Sequence, residues 1–243
     1  MKTFKEAVRF QTKMYLISNK FIVPFIVLFA CLYVVYYNRH TELVAGYNIT
    51  SVVCFYLMFI IGLTYNDTID MTTEQLLVLR LKSERKYYLC NEGVLFVISC
   101  IFAGTAIGYS LMANIFTIFT RIDGRLVLWD LIIGLFLHIF ISFAGAMTGS
   151  IFHNRIFPDR YVLLCSAFVV AVMGVAKELV VKVFSEFRYI MWLFPPVAEY
   201  IGYFKGKHIY TLPGMAKGVM VMLIYACVVC VIKERLLIRH KFG

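Results

Sequence analysis

Charge is what this sequence has least of. Asp, Glu, Lys and Arg make up 16% of the 243 residues, while 61% are hydrophobic and the mean hydropathy is +0.81. Soluble domains run nearer a quarter charged and half apolar. A chain of this size cannot hide so much apolar surface in one water-soluble core, so a soluble globular protein is excluded and lipid becomes the solvent. In a bilayer every backbone N–H and C=O must be paired within the protein, which leaves helices or a closed barrel. Alternating ten-residue segments are also missing. The apolar stretches are continuous runs, which excludes a barrel.

Motifs for nucleotide binding and hydrolysis are missing too. There is no G-x-x-x-x-G-K-[ST], which excludes ATP binding by a P-loop, and neither H-E-x-x-H nor G-x-S-x-G occurs. His138 stands alone in an apolar run and reads as a packed or hydrogen-bonded histidine. No catalytic, cofactor-binding or metal-ligating residue is therefore expected. The segment 1–20 is polar and amphipathic and lacks the small-residue cleavage site of a signal peptide, so insertion is expected to rest on the first span. Ionisable residues are nearly absent from the middles of the apolar runs; Glu92, Asp130, Lys177, Glu178 and Lys182 lie near their ends. Because intramembrane charges mark ion and proton pathways, this speaks against an ion-coupled device and for energy supplied from elsewhere. The seven cysteines, an odd number, lie almost all in apolar runs. Cys227 and Cys230 form a C-x-x-C with no further ligand nearby, and read as packed apolar residues.

What is present is a series of six runs near the 20 residues a helix needs to cross the hydrocarbon: 21–37, 47–65, 93–119, 126–152, 161–183 and 212–232. The second is the weakest, its strongly apolar part running only from Val52 to Tyr65. A short polar turn, Thr120 to Arg125 with Asp123-Gly124, separates the third and fourth. The expected fold class is an all-α integral membrane protein of six transmembrane helices, a single membrane domain over 1–243. The net charge of +10 reads as topology and lipid headgroups rather than a nucleic-acid partner. With both termini inside, 15 of the 24 basic residues fall in cytoplasmic segments. They are Lys2, Lys5, Arg9, Lys13 and Lys20; Arg80, Lys82, Arg85 and Lys86; Arg155 and Arg160; and Lys233, Arg235, Arg239 and Lys241. Both ends in the cytoplasm, in the cytoplasmic membrane, is the consistent solution.

Three segments are not plain spans. On a helical wheel of 1–20, Phe4, Ala7, Val8, Phe10, Met14, Tyr15 and Ile17 fall on one side and the five cations on the other, as in a helix lying in the membrane interface. In the loop 66–91, Thr72-x-x-Gln75 has capping-box spacing, so a helix is expected to start near Thr73. Its leucines Leu76, Leu77, Leu79 and Leu81 run into Arg80, Lys82, Arg85 and Lys86. That mixture suits docking into a groove of a soluble partner, and equally leucines that rest on the membrane or on neighbouring helices. In the segment 184–212, Trp192-Leu193-Phe194-Pro195-Pro196 precedes Tyr200, Tyr203 and Phe204. The prolines stop a continuous helix, leaving one or two short helices at the outer interface or simple aromatic anchors. In the fourth run, Gly145, Ala146, Gly149 and Ser150 offer a close-packing face, read as packing within the subunit.

In this order and spacing the features resemble the membrane subunit of a type 2 ABC transporter, the half-size permeases that pair with a separate ATPase. The likeness covers essentially the whole chain. In that family a coupling helix lies between spans two and three, with an acidic residue, a leucine-rich turn, a basic or Ser-Arg element and an aromatic entry to span three. The matching residues here run from Glu74 through Leu76, Leu77, Leu79 and Arg80 to Ser83, Arg85, Tyr87 and Tyr88. The chain departs from the pattern where Lys82 replaces the frequent proline and Glu84 separates Ser83 from Arg85. The segment 1–20 resembles the family's elbow helix, and Phe194-Pro195-Pro196 its short outer re-entrant helices.

The resemblance implies an ABC exporter permease acting as a homodimer or heterodimer, with ATP and Mg held on a cytoplasmic ABC ATPase and no cofactor on this chain. Glu74, Leu77, Arg80 and Arg85 are the expected ATPase-contacting residues; substrate-binding residues are unknown. A hydrophobic or amphipathic cargo, such as a peptide or antimicrobial, fits the lack of a large outer domain. Two other classes stay open: a non-catalytic membrane scaffold or sensor, which would bind partners without ATP-dependent movement, and an intramembrane enzyme on lipid or peptide, which would act without an ATPase.

Overall fold

The computed structural model describes residues 2–37, 41–116, 122–123, 128–204, 206 and 208–239. Long apolar runs give long helices because only helical backbone satisfies its own polar groups in lipid. Five helices are long and apolar enough to cross a membrane: α3 (Leu43–Tyr65), α5 (Glu84–Phe116), α6 (Leu128–Ser150), α7 (Arg160–Val183) and α10 (Leu212–Arg239). Before them lie α1 (Lys2–Ile17) and α2 (Ile22–Tyr37). With 16 residues α2 falls short of a full span by itself. It makes a sixth span only as part of a bent pair with α1, the two axes meeting at 75°. The corner holds Asn19 at φ 58°, a left-handed conformation that asparagine tolerates better than most residues. These elements make the chain a multi-pass, all-α membrane protein. The outer ends of the expected third and fourth spans, Gly124 of the expected turn, and Arg39, Arg121, Arg125, Lys205, Lys207 and Lys241 lie outside the described residues.

Between the spans, α4 (Met71–Leu81) sits between α3 and α5, while a 3₁₀ turn (Ser185–Phe187), α8 (Arg188–Met191) and α9 (Val197–Phe204) sit between α7 and α10. The break between α8 and α9 falls on Pro195-Pro196, as expected. Two-residue strands Thr41–Glu42 and Ile122–Asp123 pair in parallel at the end opposite α4. At 33 residues α5 is about 50 Å long at 1.5 Å per residue, against roughly 30 Å of hydrocarbon. Its first turns, with Glu84, Arg85 and Lys86, therefore stand clear of the apolar layer.

The core is built on α3 against α6, the most extensive helix pair. Gly145 and Gly149, four residues apart, put the α6 backbone directly on α3. A Cβ at Gly145 would stand 2.3 Å from the Phe55 carbonyl oxygen, and one at Gly149 2.0 Å from that of Phe59. Gly62 answers from α3, where a Cβ would lie 2.1 Å from the Ala146 oxygen. The small-residue face is thus spent within the chain, as helix packing in lipid favours. The second run, weakest in hydropathy, is one of the two most enclosed spans. Its polar residues point inward: Thr50 Oγ1 lies 2.9 Å from His138 Nε2, and the Tyr47 hydroxyl 3.0 Å from Ser110 Oγ. His138 Nδ1 lies 2.7 Å from the Gly134 carbonyl, so both ring nitrogens are engaged and the histidine is packed and hydrogen-bonded, as expected.

The buried stripe of α1 is Ala7, Gln11 and Tyr15, and Gln11 donates to Asn91 Oδ1 of α5 at 2.7 Å. Of the expected apolar arc, Ala7 and Tyr15 are buried against the bundle, while Phe4, Phe10 and Ile17 are exposed on the outside of the helix. Helical spacing of four residues, not hydrophobicity, selects the stripe that meets α5.

Candidate functional site

The short helix between α3 and α5, with little hydrophobic support in sequence, is held by a cap, a buried ion pair and apolar packing. Helix α4 begins at Met71, two residues before Thr73, and its N-cap is Asp70, whose carboxylate accepts the Thr73 N–H at 3.3 Å. Asp70, three residues before Thr73, makes the cap in place of the Thr72–Gln75 box. Hydrogen bonding from the Thr73 side chain, and then from this backbone N–H, holds the Asp70 carboxyl below its usual range. At the other end Lys82 closes the helix in a left-handed conformation, φ 55°, with its N–H on the Leu79 carbonyl. Ser83 Oγ then lies 3.5 Å from the Lys86 N–H, which starts α5 after a two-residue corner. A left-handed residue is what a proline cannot supply, which accounts locally for Lys82.

Helical spacing divides α4 into two faces. Glu74, Leu77 and Leu81 are buried, and Glu74 pairs with Arg155 of the loop between α6 and α7. Both side chains are under a tenth exposed. Burial raises the Glu74 carboxyl above its ordinary value, outweighing the pull of the Arg155 guanidinium in the other direction. Leu77 and Leu81 pack with Tyr87, Tyr88 and Leu237, which joins α4 to α5 and α10. Arg80 and Arg85 point outward; Arg80 lies 4.0 Å from Glu6 and Arg85 3.4 Å from Glu234. Of the four residues singled out in sequence, Glu74 and Leu77 therefore form the base of α4 and Arg80 its exposed surface, while Arg85 lies exposed in the first turn of α5. Leu76 and Leu79, 61% and 73% exposed, complete that surface and were not singled out. The i, i+3, i+7 repeat of positions 74, 77 and 81 is the signal that separates the faces.

Hydrogen bonds tie the surroundings of α4 to the spans. Asn66, at the end of α3, donates to the carbonyls of Ser150 and Phe152 at 3.1 Å each. Asn154 donates to Asp67 at 3.1 Å, and Lys20, at the α1–α2 corner, to the Asp67 carbonyl at 2.8 Å. Phe152 stacks on Phe157 and leans on Phe59. Helix α4 is thus joined directly to α5, to α10 and to the loop after α6, and that loop is joined in turn to the end of α3. Between α1 and α4 a cleft of about 350 Å³ is lined by Phe10, Leu76, Leu77 and Arg80.

No protein-family model matches the chain, and neither does any curated protein or solved structure. The site's function is therefore argued from its geometry.

The same loop holds His153, whose Nδ1 accepts the Arg155 N–H at 3.1 Å. Burial, then the neighbouring charges of Arg155 and Lys233, lower its pKa to about 4. A histidine depressed below its ordinary 6.5 favours the fold in its neutral form. That contribution is complete above pH 6.5 and is lost as pH falls from 6.5 toward 4. Protonation also removes the acceptor on Nδ1. The expected result is that acidification from pH 7 to 5 lowers the thermal midpoint more in the wild type than in His153→Asn, which keeps an acceptor but cannot charge. Glu74 titrates in both proteins and cancels in the comparison, which differential scanning fluorimetry in detergent would read.

Elsewhere α7 stands away from α10, and an apolar groove of about 650 Å³ runs between them from Phe152 and Phe157 to Trp192. Ser166, Val170, Trp192, Tyr225 and Val228 line it. Its polar corner is Lys177, buried, with Nζ 2.6 Å from Glu199 Oε1 of α9. Trp192 on its lining is largely exposed. Among the described residues no cluster of three or more metal-ligating side chains forms.

Proposed function

We propose that the chain is the membrane-spanning permease subunit of an ATP-driven exporter of the type 2 ABC class. It sits in the cytoplasmic membrane with both termini in the cytoplasm, and α1 serves as the elbow and α4 as the coupling helix. Two such subunits, identical or related, form the pathway, and a separate cytoplasmic ATPase carrying ATP and Mg docks beneath each. The observation that carries this reading is α4 itself. A short helix exposes Leu76, Leu79 and Arg80 on one face and is fixed on the other by a buried ion pair to a second loop. An apolar row among charges is the pattern of helix-in-groove docking. Its ties to four spans give a push on α4 a route into the membrane, where it would bias the population of inward- and outward-open states. The groove between α7 and α10, apolar with a charged corner and an aromatic rim, supports a hydrophobic or amphipathic cargo such as a peptide.

The test is coexpression with a candidate ABC ATPase, followed by purification on a tag carried by this chain. The ATPase is expected to be retained by the wild type and lost when Arg80 and Arg85 are both changed to Glu. Both arginines are exposed, so the double variant is expected to insert and fold. Retention unchanged by the reversal would overturn the docking assignment.

A further inference from the structure

The cations of α1 are not distributed evenly around it. Lys5, Arg9 and Lys13 follow one another at four-residue spacing and form one ridge, all exposed. Glu6, the acid within α1, stands beside the ridge as the i, i+3 neighbour of Arg9 and lies 4.0 Å from Arg80 of α4. Among the described residues no carboxylate comes within 4.0 Å of Lys5, Arg9 or Lys13. The ridge borders an open groove of about 650 Å³ between α1 and α5. Apart from these three cations and Thr12, the groove is lined by apolar residues, including Val8, Leu16 and Val97.

The groove has two chemically different ends. One is the row of positive charge on α1. The other is Val97 of α5, 40% exposed, and beyond it α5 continues with exposed Ile101 and with Gly104 and Gly108, around which nothing lies within 4 Å of a built Cβ. A free anion in water could use the charges but not this apolar floor, which belongs to a membrane-spanning helix. A molecule with a phosphate at one end and a hydrocarbon chain at the other would use both. Each Lys or Arg close to an anionic lipid surface contributes about 1 kcal/mol, and each buried CH₂ about 0.8 kcal/mol.

From this we infer that the groove between α1 and α5 is a binding site for an anionic phospholipid of the leaflet in which α1 lies. The phosphate sits against Lys5, Arg9 and Lys13, and one acyl chain runs along α5 past Val97. The bound lipid fixes the angle between α1 and the bundle, because it fills the side of α1 not already held by Gln11–Asn91 and by α4. The site depends on the membrane-spanning fold alone and stands whether or not an ATPase docks on α4.

The experiment uses the full chain, purified in neutral detergent without any cargo or partner and supplied with either phosphatidylglycerol or phosphatidylcholine in mixed micelles. Native mass spectrometry reads retained lipid, and scanning fluorimetry reads the thermal midpoint. Phosphatidylglycerol is expected to be retained at one copy per chain and to raise the midpoint, and phosphatidylcholine to do neither. The variant with Lys5, Arg9 and Lys13 all changed to Gln is expected to bind phosphatidylglycerol on the order of a hundredfold more weakly. Val97→Trp, which keeps the charges and fills the groove, is also expected to lose retention. Lys82→Gln with Lys86→Gln, which removes two cations away from the groove, is expected to retain the lipid. Equal retention of the two lipids would overturn the site, as would retention by the triple variant or by Val97→Trp at the wild-type level, or loss in the Lys82/Lys86 control equal to that in the triple variant.

Discussion

Arg155→Ala is expected to destabilise the protein by about 3–5 kcal/mol, the range seen when one partner of a buried ion pair is removed. The cost comes less from the attraction lost than from Glu74, which stays under a tenth exposed with no counter-charge. It is consistent that burial already outweighs Arg155 in setting the Glu74 carboxyl. Removing both charges, with Glu74→Gln and Arg155→Met together, is expected to be far milder than Arg155→Ala, because no orphaned charge remains. Thermal unfolding in detergent measures the difference. Hydrogen exchange is expected to place the loss at α4 and the loop 151–159 in the single variant. Equal losses in the single and double variants would mean that the pair is not a buried coupling.

Gly149→Val is expected to have the other large effect, about 3 kcal/mol or more, at the upper end of overpacking costs. A Cβ there stands 2.0 Å from the Phe59 carbonyl oxygen, and a backbone atom cannot rotate away as a side chain can. The only relief is to separate α3 from α6, the pair on which the core is built. Gly104→Ala is the matched control, since nothing lies within 4 Å of its Cβ. In a helix interior it is expected to be neutral or to stabilise by about 0.5–1 kcal/mol. The yield of monodisperse protein and its thermal midpoint would report both changes.

How much of this was legible in the sequence follows from whether each signal is local. The spans were legible because about 20 consecutive apolar residues state their own environment. The bend after α1 was legible in the change from segregated charge to continuous apolar residues near Phe21. The span over 47–65 looked weakest for a reason the fold explains. Tyr47, Thr50 and Ser51 lower its hydropathy because they face the bundle, where Ser110 and His138 meet the first two, and Ser51 bonds within its own helix. Hydropathy cannot tell a polar residue facing protein from one facing lipid.

The division of α4 was half legible. Its leucines and its spacing were in view, but the inward turn of Glu74 depends on Arg155, 81 positions further along the chain. A carboxylate on a charged loop reads as exposed until its partner is known. The start of α4 was legible to within two residues, because Asp70 and Thr72 are both good caps, and only the backbone decides between them. The cations at 5, 9 and 13 were visible as one face of α1, but the groove beside them requires the position of α5.

If the exposed row of α4 docks a soluble ATPase, as proposed, ATP hydrolysis by the coexpressed complex in lipid nanodiscs depends on that row. With Leu76 and Leu79 both changed to Asp, the account predicts that the ATPase no longer co-purifies and that hydrolysis associated with this chain falls to background, while the thermal midpoint of the chain alone stays within about 2 °C of wild type, as expected for exposed positions. A complex that assembles and hydrolyses ATP at the wild-type rate with both leucines replaced would contradict it.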